Sequence, residues 1–314
     1  MRPNPILAVA AAIMLLLGGV RADAATLDIV SAVTPAGQTV RTIDGRQRET
    51  VAFTDRQMDL LGQAGAFWQT ILTGFSGGRD LVFGLTSTMA AFDGAYRVAA
   101  YAGQAGLDYV AGRDPGTGAR KDFWRTTGGS VFFDAEDFGG GRALHSEDAF
   151  LAIAVHEIGH ALGFGLLFDA NGLTDKNAGT YLGREAVAAF NVTQGTAVTG
   201  IALDAGGGHW SECWIASARG TACDPARTND AEIMSPILAG GAATLSPATI
   251  AAFRDLGYTT VDPFMPIAFP TARGIAPVPS VPLPAAGLLL AAAVSGLAGL
   301  RQTGRPRSDR TRRV

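Results

Sequence analysis

The sequence SEDAFLAIAVHEIGHALGF, at residues 146–164, contains the main signal for both fold and chemistry. Its strongly apolar run from 149 to 161 predicts a buried helix. Ser146 is a typical N-cap residue. Glu147 and Asp148 follow it, where negative charge interacts favourably with the positive end of the helix dipole.

Two histidines of this helix, His156 and His160, are four residues apart and therefore lie on the same face. Both imidazoles can then reach one metal ion. Glu157 lies beside that ion rather than on it, where it can take a proton from a metal-bound water. A glutamate in so apolar a helix would be costly without such a partner. The pattern predicts a zinc site with Glu157 as the general base.

Zinc in a catalytic site needs a third protein ligand and an open position for water. Gly163 can adopt the left-handed conformation that ends a helix and turns the chain back, and a helix that stops there resembles those of the metzincin peptidases. The common metzincin pattern puts a third histidine at position 166, where this chain has Leu166. His145 and His209 are the remaining histidines of the sequence.

The segment GGGHW at 206–210 resembles the leishmanolysin-like branch of the metzincins. In that family an insertion precedes the third histidine, which lies in a Gly-His-Trp segment, and a methionine on a tight turn lies under the metal. The resemblance implies His209 as the third zinc ligand and Met234, within EIMSP, as the turn methionine. It covers residues 130–258 well and 50–130 in outline.

Glu185 is the alternative third ligand. It follows His160 by 25 residues, as the second-helix glutamate does in gluzincins, but this reading leaves Gly163 and Met234 without a role. His145 lies just before the helix and is predicted to be a loop residue rather than a ligand.

The resemblance implies an α+β, metzincin-like fold within residues 25–262. An N-terminal twisted mixed sheet with the active-site helix would extend to about residue 165, and a less regular C-terminal subdomain would occupy 166–262. Val131 to Asp134 resembles the edge strand that in metzincins lies above the cleft and can pair with extended substrate. A capping box at Thr54 to Gln57 predicts a further helix over 55–73.

The implied activity is that of a zinc-dependent metalloendopeptidase with one Zn²⁺ and a protein or peptide substrate. The HExxH pattern alone does not name the substrate. Two alternatives therefore remain open: a zinc hydrolase of non-peptide substrates, and a surface-anchored adhesin or binding protein with a structural metal site.

Residues 1–24 are typical of a secretory signal peptide, with Arg2 before an apolar run and a small-x-small cleavage site at Ala22 to Ala24. Export implies an oxidising compartment. Cys213 and Cys223, the two cysteines of the chain, are therefore predicted to pair. Zinc binding by this pair is the alternative, but their spacing is wider than in structural zinc sites.

The C-terminal region is predicted to be a second sorting element. A Pro-rich linker at 263–284 is expected to be extended and stiff. The motif VPLPA, an apolar stretch to residue 300 and an Arg-rich tail follow within 281–314. This order resembles the C-terminal signals that an exosortase-like membrane protease cuts in Gram-negative bacteria. We expect an exported protein of the cell envelope or exterior, anchored to the membrane at least transiently.

The formal net charge of −3 hides an acidic central region. Residues 25–300 carry 17 basic and 26 acidic side chains, a net charge of −9. This charge argues against nucleic acid as a partner, because binding phosphates requires a basic surface. With 47% hydrophobic and 17% charged residues, the chain is also too apolar to be disordered.

Overall fold

The computed structural model describes residues 26–76, 80–92, 98–114, 117–139, 145–222, 232–237, 243–265 and 267–272. They all belong to one compact unit, Met1–Gly274, and a second unit, Ile275–Val314, lies outside the described residues. The described part combines a four-stranded mixed sheet with several helices. The predicted α+β class is therefore confirmed.

The described strands include four long ones and seven short ones, and their bounds are β1 Leu27–Val33, β2 Thr39–Arg41, β3 Gln47–Glu49, β4 Leu72–Phe75, β5 Leu81–Ala90, β6 Ala100–Arg113, β7 Arg120–Asp134, β8 Thr174–Asp175, β9 Thr180–Tyr181, β10 Ile201–Ala202 and β11 Tyr258–Thr260. The main sheet has the order β1-β5-β7-β6. Its first three strands are parallel, and β6 runs antiparallel to β7. The short strands form three small sheets: β2-β3, β4-β11 and β8-β9-β10.

The described helices are α1 Asp55–Ile71, α2 Ala135–Phe138, α3 Glu147–Ala161, α4 Arg184–Gln194, α5 Trp214–Arg219 and α6 Pro247–Asp255. Two of them, α1 and α3, pack against each other. The buried indole of Trp68 donates its Nε1–H to the Val155 carbonyl oxygen at 2.8 Å. This contact fixes α3, the helix predicted to bind metal, against α1.

The predicted helix over 55–73 begins as expected but ends earlier. The Thr54 side chain accepts from the Gln57 amide and the Gln57 side chain accepts from the Thr54 amide, so the capping box is confirmed. The helix ends at Ile71, because Leu72 begins β4, which pairs with β11 far along the chain. Tertiary pairing overrides the helical periodicity at this point.

The prediction that Val131 to Asp134 forms an edge strand was wrong. These residues are the end of β7, and Val131 lies opposite Ser87 of β5 on one side and Ala102 of β6 on the other. The antiparallel strand β6 is the outer strand instead. A short strand's own sequence does not reveal which distant segments pair with it, so its position in the sheet could not be predicted.

The first part of the predicted linker packs against the domain. Phe269 contacts the Phe67 ring at 5.2 Å between centroids. The Ala272 amide donates to Asp148 Oδ1, and its carbonyl oxygen accepts from Arg56 Nη2, both at 2.6 Å. The signal at 1–24 and the sorting signal at 281–314 lie outside the described residues. Among the helices described, none has the length and apolarity needed to cross a membrane.

Candidate metal centre

Helix α3 presents two histidines to one point. Ser146 caps the helix by accepting from the Ala149 amide at 3.2 Å, as predicted. His156 and His160 lie one turn apart and are 6% and 8% exposed. Their Nε2 atoms are 3.0 Å apart.

The imidazole of His209 lies beside these two rings, although its loop follows His160 by 49 residues in the sequence. Its Nε2 lies 3.0 Å from Nε2 of His160. The ligand atoms of His156, His160 and His209 all lie within 4.8 Å of one another. These three histidines can therefore hold one metal ion. Two nitrogens bound tetrahedrally to zinc at ~2.0–2.1 Å would be about 3.3 Å apart, close to the distances found.

The second nitrogen of each ring is held by an acceptor. His156 Nδ1 lies 2.5 Å from the Ile233 carbonyl oxygen, and His160 Nδ1 lies 2.9 Å from that of Phe164. A carbonyl oxygen can only accept, so both rings carry their proton on Nδ1 and leave Nε2 free to bind a metal. The donor set therefore fits a cation.

Both helical histidines are neutral at neutral pH. Burial, together with the neighbouring imidazoles, lowers the pKa of His160 to about 4 and the pKa of His156 well below its usual value. A hydrogen bond between Nε2 of His156 and Nε2 of His160 would require one of the two rings to be protonated on both nitrogens and therefore positively charged. Burial disfavours a charged ring. Both Nε2 atoms therefore keep a lone pair, and the two lone pairs face each other.

Glu157 lies beside the histidines and outside their ligand set. Its Oε1 is 4.0 Å from His156 Nε2. The side chain is buried, and it accepts no hydrogen bond from the residues that the structure describes. Burial raises the pKa of Glu157 to about 8.

Asp204 orients His209, and sequence reasoning did not identify it. Its Oδ1 accepts from the amides of Gly208 and His209, and its Oδ2 lies 3.1 Å from His209 Nδ1. Burial raises the pKa of Asp204, but hydrogen bonds from the His209 backbone and ring lower it below the usual value overall. The signal in the sequence was an acidic residue followed closely by a glycine-rich turn.

Gly165 is a second residue that sequence reasoning missed. Gly163 has φ +119° and Gly165 has φ +72°, so the chain turns twice after the helix. A Cβ on Gly165 would lie 2.3 Å from the carbonyl oxygen of Gly208. The absence of a side chain lets the backbone before His209 approach the end of the helix.

We expect Gly165→Ala to weaken binding of the predicted zinc ion and to lower the stability of the fold. A left-handed backbone costs a non-glycine residue about 1–2 kcal/mol, and here the new methyl group also meets Gly208 backbone atoms. Zinc affinity should fall by roughly the 10–100-fold that disturbing a ligand's support costs. Gly172→Ala is the matched control, because Gly172 has φ +67° but open space around it. Urea unfolding and zinc competition would measure both effects, and equal zinc affinity in the two variants would contradict the expectation.

Met234 packs against the helix that carries two of the histidines. A Cβ on Gly159, within the HEIGH motif, would lie 2.9 Å from Met234 Sδ. The Met234 carbonyl oxygen accepts from the Trp210 amide at 3.1 Å, directly after His209. The turn that carries Met234 therefore contacts both the helix and the loop that supply the ligands.

The other predicted site residues lie apart from the cluster. Glu185 accepts from Arg184 at 2.9 Å and does not join the three histidines. His145 lies 3.9 Å from Asp137 and contacts the Phe138 ring instead.

Cys213 is disulfide-bonded. Its predicted partner, Cys223, lies outside the described residues. Cys213 directly precedes α5, whose Trp214 stacks on Trp210 with ring centroids 5.5 Å apart. The disulfide-bonded segment is thus packed against the residue that follows His209.

Comparison with known proteins adds no family assignment. No protein-family model matches the sequence, and no curated protein matches it. The chemistry open to this site follows from its own geometry: three imidazoles can hold a metal ion, and a buried carboxylate lies beside them.

Proposed function

We propose that the protein is an exported zinc metalloendopeptidase of metzincin type, related to the leishmanolysin-like enzymes. The observation that carries the proposal is the convergence of three imidazoles beside the buried carboxylate of Glu157: Nε2 of His160 lies 3.0 Å from Nε2 of His156 and 3.0 Å from Nε2 of His209. The turn at Gly163, the packing of Met234 and the displaced third histidine support the metzincin type.

His156, His160 and His209 would hold the zinc ion. Zinc is one of the metals that neutral imidazole ligands bind well. Three protein ligands with one open position are typical of catalytic zinc. When bound, zinc lowers the pKa of a coordinated water to near 7 and polarises a carbonyl oxygen. Asp204 keeps the His209 ring oriented and raises the basicity of its Nε2.

Glu157 would move the proton, because the positive charge of a bound metal ion would offset the burial that raises its pKa and keep its carboxyl group ionised. Its carboxylate is near the ligand nitrogens and has no competing hydrogen bond from the described residues. It accepts a proton from the attacking water and delivers it to the amine nitrogen that leaves when the peptide bond breaks. The burial of the Glu157 side chain limits the access of other water to this transfer.

Substrate would bind along the outer strand of the sheet. Among the described residues β6 pairs with β7 alone, so its outer edge has no strand partner there, and β6 also contacts α3. An extended peptide can add to such an edge through backbone hydrogen bonds, which select for backbone more than for side chains.

The cell envelope or the exterior would be the place of action. This part of the proposal depends on the signal at 1–24 and on the sorting signal at 281–314, which an exosortase-like protease would recognise. The disulfide-bonded Cys213 supports an oxidising compartment.

A metal-removal experiment tests the proposal. We expect the purified protein to contain one zinc ion per chain and to cleave casein or a peptide library. Because the proposed mechanism depends on a zinc ion to activate the attacking water, a strong chelator should abolish cleavage and added Zn²⁺ should restore it. Bound zinc without cleavage of any peptide would favour the binding protein, and cleavage that survives complete metal removal would exclude the mechanism.

A further inference from the structure

A closed ring of hydrogen bonds lies behind the third histidine. Trp210 Nε1 donates to Thr249 Oγ1 at 2.7 Å, and Thr249 Oγ1 donates to Glu232 Oε1 at 2.5 Å. Met234 N donates to Glu232 Oε2 at 2.5 Å, and Trp210 N donates to the Met234 carbonyl oxygen at 3.1 Å. All four residues are buried, with at most 4% of their surface exposed.

The direction of each bond in this ring is determined by chemistry. The indole Nε1–H of Trp210 can only donate, so the Thr249 hydroxyl accepts it and directs its own proton to Glu232. The backbone amide of Ser246, at the start of α6, also donates to Glu232 Oε1 at 3.2 Å. Glu232 therefore receives three donors, and a buried carboxylate is the group that can accept them all.

The ring of hydrogen bonds connects helix α3, which carries His156 and His160, with the loop that carries His209. Trp210 directly follows His209 in the chain. Met234 packs on Gly159 of α3, and the preceding Ile233 carbonyl accepts from His156 Nδ1. A shift of the Glu232 carboxylate would therefore be transmitted to the loop ligand on one side and to the helical ligands on the other.

We propose that Glu232 is a positioning residue of the metal centre. Through Thr249 and the Met234 amide it holds Trp210 in place, and Trp210 in turn holds His209 at the distance needed to share an ion with the helical histidines. The described donors to Glu232 are Met234, Ser246 and Thr249, and none of them is a candidate ligand, so Glu232 acts through other residues. The inference rests on the proposed zinc site, but not on what that site hydrolyses.

The test compares zinc affinity in the full chain and in variants of the ring, measured by competition with a chromophoric chelator. In Glu232→Gln, an amide NH₂ group takes the place of one carboxylate oxygen. It faces either the Met234 amide or the Thr249 hydroxyl and Ser246 amide, so in both orientations of the side chain a donor faces a donor. We expect zinc affinity to fall about 10–100-fold, as for other outer partners of metal ligands. Thr249→Val, which removes the bridging hydroxyl with little change in volume, should lower affinity in the same direction, and Thr249→Ser, which keeps it, should retain wild-type affinity.

Asp255→Asn is the matched control for loss of a buried carboxylate. Asp255 lies on the same helix, α6, and also accepts three hydrogen bonds, from Tyr181 Oη and the amides of Glu185 and Ala186. None of these donors belongs to the ring. We expect the metal-free Asp255→Asn protein to unfold at a lower temperature but to bind zinc as the wild type does.

The possible outcomes separate this inference from the proposed function. Equal zinc affinity in wild type and Glu232→Gln, or an equal loss in Asp255→Asn, overturns the positioning role alone. If Glu232→Gln does not fold, the two Thr249 variants decide the question. Equal zinc affinity in Thr249→Val and Thr249→Ser would then overturn the positioning role. A wild-type protein that binds no zinc overturns the positioning role together with the proposed function.

Discussion

Glu157→Gln should abolish most peptide cleavage while leaving zinc bound. The amide has nearly the shape of the carboxylate but cannot accept the proton of the attacking water. A positioned general base contributes about 10²- to 10⁴-fold to rate, so kcat should fall by that amount. Glu157 lies outside the set of converging nitrogens, and we therefore expect zinc content to be unchanged. Casein or peptide cleavage, measured together with metal analysis, gives both quantities.

Glu147→Gln is the control on the same helix. Glu147 lies in the first turn of α3 and pairs with Arg56 at 3.0 Å, more than two turns from the histidines. The Glu147→Gln protein should cleave peptides at the wild-type rate, because an exposed ion pair contributes little to stability. Cleavage that survives Glu157→Gln would eliminate the proton-transfer role.

His209→Ala should release the zinc ion. The variant removes one of three converging nitrogens and leaves Asp204 without the ring it orients. Removing an outer partner of a ligand already costs about 10–100-fold in metal affinity, and removing the ligand itself should cost more. Metal analysis after dialysis, and chelator competition for what remains, would measure the loss.

Glu185→Ala distinguishes the two assignments of the third ligand. In the structure the Glu185 carboxylate pairs with Arg184, and its amide donates to Asp255 Oδ1 at 3.0 Å. We expect this variant to keep its zinc. The opposite pattern, with zinc lost in Glu185→Ala and retained in His209→Ala, would refute His209 as a ligand.

The three candidate ligands depend on surroundings of different kinds. The Nδ1 atoms of His156 and His160 face backbone carbonyl oxygens, whereas that of His209 faces the Asp204 carboxylate. The helix positions the first two by its own geometry. The loop ligand has no such support, and Asp204 and the close approach of Gly165 to Gly208 provide it instead.

Some predictions failed where the outcome depended on distant pairing. The helix over 55–73 ended at Ile71, because Leu72 joined a strand with residues near 258. The segment Val131 to Asp134 proved to be interior, because β6 pairs along its other side. In each case the local periodicity predicted the correct type of secondary structure, but it did not predict which distant segments pair with it.

The amino-acid sequence alone determined the part of the site that a single helix carries. His156, Glu157 and His160 take their relative positions from the 3.6-residue period, and Ser146 begins the helix with its own side chain, so both are local properties. The tertiary structure alone decided how His209 meets them across 49 residues, which acceptor holds each ring, and which strand forms the sheet edge. These depend on contacts such as Gly165 with Gly208 and Asp204 with His209, which form only when the loop that carries His209 packs against the end of the helix.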